Sequence, residues 1–340
     1  MTPRERDILL KVAELYMETG EPVGSRTLQK RFSMKISPAT IRNVMSDLED
    51  KGYLYQPHTS AGRLPTDEGM KYYINYLLFS LGEVDTGIAS RIIDYIKVSG
   101  KTGFDEIFSA VLNFLTRSTG YMSLGANFVI DALTIKDISL VKVSSSKVLV
   151  VITCEPEYVI HKVITLKVEP SILAKISQEL TAKFKGKPLS SIKKELINEM
   201  NKARNEFMEL SFNLNTHLLK LVNSVNDVKI TGTFNIFNSV NEDFEKIQEI
   251  IKILEEKKKL LETFSKLIDT ADRVTVILGK ETEIEAFEPF SIVAAKYSLK
   301  SKDAGIVGIL GPKRMDYCKI IPVVENVSRA LSHILSKDIK

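Results

Sequence analysis

Ile8, Leu9, Val12, Leu15 and Tyr16 recur at the three-and-four spacing of a helix with one buried face. Thr2-Pro3-Arg4-Glu5 ahead of them has capping-box spacing with proline at the first helical position, and Gly20 ends the run. Ser25 is placed to cap a short second helix, Arg26 to Phe32, with Leu28 and Phe32 facing inward. Ser37-Pro38 opens a third helix, striped by Ile41, Val44, Met45 and Leu48 and stopped by Gly52. The pattern then changes. Tyr53-Leu54-Tyr55-Gln56 is strand-like, and Pro57-His58-Thr59-Ser60-Ala61-Gly62-Arg63 is a loop of turn formers. Leu64-Pro65-Thr66 returns as an edge strand, where proline is tolerated. An amphipathic helix over Lys71 to Leu78 follows.

Two helical segments are predicted between 86 and 118, divided by Ser99-Gly100-Lys101-Thr102-Gly103. Residues 120–167 alternate as antiparallel strands, with Ser144-Ser145-Ser146 as a turn. Residues 170–226 return to helical spacing, broken at Gly186-Lys187-Pro188. A strand over Ile230 to Phe237 and one long helix over Glu242 to Ile268 come next, the latter with Lys257-Lys258-Lys259 on its solvated face. Three strands follow, Val274 to Leu278, Ser291 to Tyr297 and Gly305 to Leu310, and then a last helix from Asp316 to Ser336 that contains Pro322. The part beyond the N-terminal module is therefore an α+β domain interrupted by a helical segment at 166–227. That segment carries Ile172, Leu173, Ile176 and Leu180, then Leu189, Ile192, Leu196 and Met200, then Phe207, Leu210, Leu214, Leu218, Leu219 and Val222. A short helical insert cannot bury all of these alone, so a partner chain is expected to cover some of them.

Composition narrows the function classes. The chain has 340 residues, 44% hydrophobic and 26% charged, enough for two or three domains at about 100–200 residues each. No apolar stretch is long enough to span a membrane, and the N-terminal residues do not have signal-peptide form. Cys154 and Cys318 are the only cysteines, which suits a reducing compartment and gives neither a zinc site nor a disulfide framework. A cytoplasmic location is expected. His58, His161, His217 and His333 are scattered, and none has a neighbour at metal-ligand spacing. There is no Gly-x-Ser-x-Gly elbow, and pairs such as Glu255-Glu256 fall on charged helix surfaces. Gly305, Gly308 and Gly311 match neither a dinucleotide fingerprint nor a P-loop, and are better taken as a strand ending in a tight turn. No catalytic residue, metal or cofactor is expected, and an enzyme is the least favoured class.

The net charge of +4 names no partner, but its distribution does. Residues 1–75 hold 11 basic and 10 acidic residues, yet Arg26, Lys30, Arg31, Lys35 and Arg42 lie between Glu21 and Asp47 with no acid among them. Such a local positive field suits the phosphates of double-stranded DNA. Three helices and a hairpin in this order form a winged helix-turn-helix, whose third helix enters the major groove. With Ile41, Val44, Met45 and Leu48 inward, Ala39, Thr40, Arg42, Asn43 and Ser46 are candidates to contact base edges. Arg26, Lys30, Arg31, Lys35 and Ser37, with His58, Ser60 and Arg63 in the wing, are candidates for the DNA backbone or minor groove.

Three N-terminal motifs are Glu21-Pro22-Val23-Gly24-Ser25-Arg26-Thr27-Leu28, Ser37-Pro38-Ala39-Thr40-Ile41-Arg42-Asn43 and Pro57-His58-Thr59-Ser60-Ala61-Gly62-Arg63-Leu64-Pro65-Thr66. With Gly311-Pro312-Lys313-Arg314-Met315-Asp316-Tyr317 near the other end, they resemble the bacterial heat-inducible transcription repressor family HrcA. The sequence departs from that family's pattern at Met70-Lys71 and at Lys313. The resemblance implies a homodimeric repressor that binds an inverted-repeat operator of chaperone operons and is kept active by the chaperonin GroEL. It also implies a GAF-like domain carrying an inserted dimerisation domain. The expected division is a winged helix-turn-helix over 1–75, a helical linker over 76–102, a GAF-like α/β domain with an antiparallel sheet over 103–165 and 228–340, and the insert over 166–227. The competing reading is a metabolite-sensing winged-helix regulator that uses its GAF-like domain.

Overall fold

The computed structural model describes residues 1–81, 87–98, 104–127, 133–155, 158–192, 195, 214, 216–218, 228–239, 244–256, 260, 274–299 and 302–337. It opens with α1 (Pro3–Thr19), α2 (Ser25–Phe32) and α3 (Pro38–Asp50), then a two-stranded hairpin of β1 (Leu54–Tyr55) and β2 (Leu64–Pro65). The local signals explain these bounds. Thr2 and Glu5 form a capping box at the start of α1, and Gly20 closes it at φ +76°, a conformation in which glycine carries no Cβ penalty. Ser37 accepts the Thr40 N–H at the start of α3, with Pro38 in the first turn. One expectation changes. Ser25 is already the first helical residue, so the N-cap of α2 is Gly24, which has no side chain with which to make a cap bond.

Ile8, Leu9, Val12 and Leu28 pack with Ile41, Met45, Leu48 and Leu54 into a small core of their own. α4 (Asp67–Ser80) leaves that core and runs across residue 75. Its Met70, Tyr73, Ile74 and Leu77 are buried in the main body instead, so the helix joins the two parts.

The body is built on a five-stranded antiparallel sheet of β3 (Met122–Asn127), β7 (Val228–Thr231), β8 (Val274–Leu278), β9 (Phe290–Leu299) and β10 (Lys302–Pro312), in the order β7-β3-β10-β9-β8. Side chains alternate between its faces, as the pleat requires. Val293, Ala295, Val307 and Ile309 share a core with α5 (Ile88–Val98), α6 (Phe104–Thr119) and α9 (Tyr317–Lys337). Ile292, Ala294, Ile306 and Leu310 face the opposite core, with Ile250 and Ile253 of α8 (Phe244–Glu255).

The remaining strands form a second sheet. β4 (Thr134–Lys142), β5 (Lys147–Glu155) and β6 (Tyr158–Thr165) pair in sequence order, and α7 (Pro170–Phe184) covers one face. Thr181 Oγ1 accepts the Ile138 N–H and Ser177 Oγ the Leu140 N–H, both at 2.9 Å, which fastens helix to strand. The chain thus leaves the five-stranded sheet after Asn127, not at 166, and rejoins it at Val228. β3 is buried at every position and β9 at most of its positions because both faces of the five-stranded sheet are covered, whereas β4, β5 and β6 alternate because one face of their sheet is open.

Three further expectations are corrected or limited. The strand over Ile230 to Phe237 stops at Thr231, where Gly232 at φ +75° turns the chain into a 3-10 segment, Thr233–Ser239. The long helix is α-helical over Phe244–Glu255 and interrupted at Glu256, and its remainder lies mostly outside the described residues. In the 166–227 segment Leu173, Leu189, Ile192, Leu214 and Leu218 are buried and Ile172 is exposed, whereas Leu196, Met200, Phe207, Leu210, Leu219 and Val222 lie outside the described residues. Among the described residues no helix is long and apolar enough to cross a membrane.

Charged contacts fasten the N-terminal part to the body. Asp67, in the first turn of α4, pairs with Lys313 at 2.7 Å and with Lys280 at 4.0 Å. Lys71 pairs with Glu281. The Arg314 guanidinium lies where a Cβ on Gly20 would project, against the C-terminal end of α1, where a cation suits the helix dipole.

Candidate nucleic-acid interface

The outer face of α3 is presented as its spacing predicts. Ile41, Val44, Met45 and Leu48 are buried, Ala39, Arg42, Asn43 and Ser46 are exposed, and Thr40 is half-buried. Ser37 is exposed but occupied, because its Oγ accepts the Thr40 N–H at 3.1 Å and lies 2.9 Å from Thr40 Oγ1. Those bonds fix the first turn of the helix, a cap interaction worth about 1 kcal/mol. They also leave Ser37 and Thr40 less available to an outside partner than Ala39, Arg42 and Asn43.

The basic residues around α3 divide by partner. Arg26, Lys30 and Lys35 are exposed, and with Arg42 they form no ion pair among the described residues. Arg31 is held by Glu18 of α1, its Nη2 lying 3.2 and 3.1 Å from the two carboxylate oxygens. The pair is exposed, so it is screened and worth little.

The hairpin loop stands beside α3 and the two enclose a groove of about 320 Å³, lined by Ser25 and Arg42 on the helical side and Thr59, Ser60 and Gly62 on the loop side. His58 and Ser60 are exposed at the loop tip. Arg63, the other wing candidate for backbone or minor-groove contact, is half-buried at the end of the loop. Its backbone exchanges two 2.9 Å hydrogen bonds with Val23, and its Nε lies 2.7 Å from Glu49 Oε2 with the side chain only 15% exposed. Gly62 is required by this closeness, since a Cβ there would overlap the Val23 carbonyl.

Two residues of this arrangement went unnoticed in the sequence. Glu49, on the last turn of α3, accepts the Gln56 N–H at 3.1 Å besides pairing with Arg63. Gln56 in turn donates from Nε2 to the carbonyls of Thr59 at 3.0 Å and Ala61 at 2.9 Å. A glutamate in an acidic helix end, and a glutamine before a loop, carry no spacing that marks them. Only the return of the hairpin over α3 brings them together.

The far end of α3 is tied to α1. Lys51 Nζ donates to Glu5 Oε2 at 2.8 Å. That bond, helped by the Thr2 N–H, holds the Glu5 carboxyl below the usual glutamate range and raises the Lys51 ammonium above its own. Among the described residues no group of three or more His, Cys, Asp or Glu side chains is arranged to hold a metal ion. The surface consists of a capped, solvent-facing helix, a hydroxyl-bearing loop and the cations Arg26, Lys30, Lys35 and Arg42, which form no ion pair among the described residues, a combination that suits a polyanion.

Comparison with known proteins agrees in kind. Residues 105–321 match the family model described as the HrcA protein C terminal domain. A heat-inducible transcription repressor HrcA of Thermodesulfovibrio yellowstonii is 32% identical over 346 residues, covering 98% of this chain and 97% of that relative. Its counterpart in Carboxydothermus hydrogenoformans is 34% identical over 339 residues, with 98% and 97% covered. A crystal structure of a protein described as hypothetical superposes with a TM-score of 0.66 at 23% identity, covering 99% of both chains, which is a likeness of fold.

Proposed function

The chain belongs to the HrcA family of heat-inducible transcription repressors, and from that premise we propose that it represses chaperone operons in the cytoplasm as a homodimer on an inverted-repeat operator. Residues 1–66 act as a winged helix-turn-helix, with α3 in the major groove and the hairpin loop as the wing. The observation that carries this reading is the outer face of α3. Arg42 and Asn43 are exposed on a capped helix beside the groove, with Arg26, Lys30 and Lys35 around them and no carboxylate paired to any of these cations among the described residues. Arg42 and Asn43, with Ala39 and Ser46, read bases, and Thr40 lies at the edge of that face. Arg26, Lys30, Lys35, His58 and Ser60 contact the backbone or minor groove, and Arg31 and Ser37 contribute less because each is already engaged.

The five-stranded sheet with its helices forms the GAF-like body, and the unit between Asn127 and Val228 is the dimerising insert. Support for the dimer comes from the sheet face of that unit that α7 does not cover. Val141, Leu149 and Val163 stand in one cross-strand register there, and Val141 and Val163 are exposed. A second copy of the chain covers this row, and the resulting two-fold axis matches an inverted repeat. Repression needs no chemistry, since an occupied operator excludes polymerase. The chaperonin GroEL maintains the binding-competent conformation, and its diversion to unfolded clients lowers repression by a shift of population.

The test is a titration of the purified chain, with and without chaperonin, into inverted-repeat operator DNA and a scrambled duplex at two salt concentrations. The expected result is salt-dependent preference for the operator by about 10³-fold or more, with an active fraction that chaperonin raises. Equal, weak binding to both duplexes contradicts the operator assignment. An active fraction indifferent to chaperonin contradicts the maintenance step alone.

A further inference from the structure

We propose that Glu49, Gln56 and Arg63 are positioning residues that set the distance between the wing and α3, and that Arg63 acts through Glu49 and not by touching DNA. The proposal rests on the DNA-binding reading above and assigns the parts within it. Glu49 is the only one of the three on the recognition helix. Its two carboxylate oxygens reach opposite ends of the loop, Oε1 to the Gln56 N–H at 3.1 Å before the loop and Oε2 to Arg63 Nε at 2.7 Å after it. Gln56 spans the loop from inside by donating to the Thr59 and Ala61 carbonyls. The Ala61 N–H donates to the His58 carbonyl at 2.9 Å, which tightens the tip. The loop is therefore held at both ends and at its middle, while the His58 and Ser60 side chains remain exposed at the tip.

A cation that binds phosphate should be exposed and unpaired. Arg63 is neither, because its side chain is 15% exposed and its charge is met by Glu49. Arg63 lines the same groove as Arg42, but its Nε is engaged by Glu49 and most of its side chain is enclosed, so its charge is spent on tying the strand after the loop to α3. The arrangement instead converts the end of α3 into a ruler for the wing. Base contacts from α3 and backbone contacts from the loop then fall in one register, and misplacing the loop weakens binding with no contact residue removed.

Two consequences separate this account from a plain phosphate contact. Removal of Glu49 takes a negative charge away from a DNA-binding surface, so electrostatics alone predicts tighter binding, whereas loss of positioning predicts weaker binding. Removal of a phosphate contact lowers the magnitude of the salt slope of log K by about 0.9, whereas removal of a positioning residue leaves it unchanged.

The experiment uses the full-length chain and its Glu49→Ala, Arg63→Ala, Gln56→Ala and Glu49→Ala/Arg63→Ala variants. Each is titrated with operator and scrambled duplex across a salt series, with the active fraction fixed by stoichiometric titration and folding checked by thermal unfolding. Gln56→Ala is included because it removes only the bonds inside the loop and leaves the core untouched. The expected result is a loss of operator affinity of about tenfold for each single variant, an unchanged salt slope, and a double variant no weaker than the worse single one, as expected for residues acting as one unit. Tighter binding by Glu49→Ala overturns the proposal, and a slope whose magnitude falls by about 0.9 for each half-site in Arg63→Ala overturns it and makes Arg63 a phosphate contact. If the unsubstituted chain fails to prefer operator over scramble, the DNA-binding reading itself falls, and the positioning proposal falls with it.

Discussion

Residues 1–66 and the stretch from Asn127 to Val228 are patterned with equal clarity, yet they differ in where each element finds its partner. In the first, β1 pairs with β2 across one short loop, Leu54 with Pro65 and Tyr55 with Leu64, and the three helices close on a core drawn from the same residues. In the second, β3 leaves its neighbours to a distant part of the chain, pairing Ala126 with Val228 on one side and Gly305 with Asn127 on the other. Between those partners the chain builds a separate sheet with its own helix. Local periodicity identifies a strand, but only long-range pairing says to which sheet it belongs.

The largest effect that tests this contrast is a core truncation in the N-terminal module. Ile41 is fully buried in a cluster that shares no buried residue with the body. Ile41→Ala is expected to cost about 2–5 kcal/mol and to unfold this module before the body, giving two transitions in a denaturant titration followed by operator binding and by circular dichroism. A single coincident transition in the variant would show that the two cores are not separable.

A pair of glycines gives a smaller, sharper comparison. Gly62→Ala forces a Cβ into the Val23 carbonyl and must push the wing off the module. Gly186, in the central stretch, has φ +79° but no atom within 4 Å of an added Cβ. Gly186→Ala is therefore expected to cost about 1–2 kcal/mol of backbone strain and to leave operator affinity alone. Gly62→Ala is expected to cost a comparable 1–3 kcal/mol or so, and to weaken operator binding as well. Urea unfolding and DNA titration of both variants check this, and equal DNA affinities would break the comparison.

The smallest effect is a pH dependence confined to the N-terminal module. The Glu5 carboxyl is held below its ordinary value of 4.5, chiefly by Lys51. A group whose pKa is lower when folded contributes its stability in full above the unfolded value and loses it as pH falls through the folded one. Unfolding of this module is thus expected to become easier below about pH 4.5, and Glu5→Gln should remove part of that slope. Parallel slopes in the two proteins would show that the Lys51 contact contributes nothing to it.

The same contrast explains how much was legible beforehand. The caps at Thr2 and Ser37, the stop at Gly20 and the outward face of α3 were all legible, because each depends on residues within a few positions of one another. The family motifs at both ends of the chain pointed to the same conclusion. The exit of the chain at Asn127 was not legible, since the partners of β3 are β7 and β10, both distant in sequence, while β4 pairs with the strand that follows it. Within the candidate interface, the exposure of Arg42 was set by its own helix, whereas the position of Arg63 depended on Glu49, which meets it only after the hairpin has folded back. The ion pairs of Asp67 with Lys313 and of Lys71 with Glu281 follow the same rule.

The central claim is that the outer face of α3 reads sequence, and the most direct test is operator titration against a panel of duplexes with single base-pair changes. For the unsubstituted chain each change in a contacted position should cost about 1–3 kcal/mol, symmetrically in the two half-sites. Arg42→Ala should bind the original operator more weakly by about 1–3 kcal/mol and become indifferent to the base pair at one position of each half-site, while Lys35→Ala weakens every duplex alike. A uniform loss by Arg42→Ala across the whole panel would contradict the account, because Arg42 would then hold phosphate and the reading of bases would have to lie elsewhere.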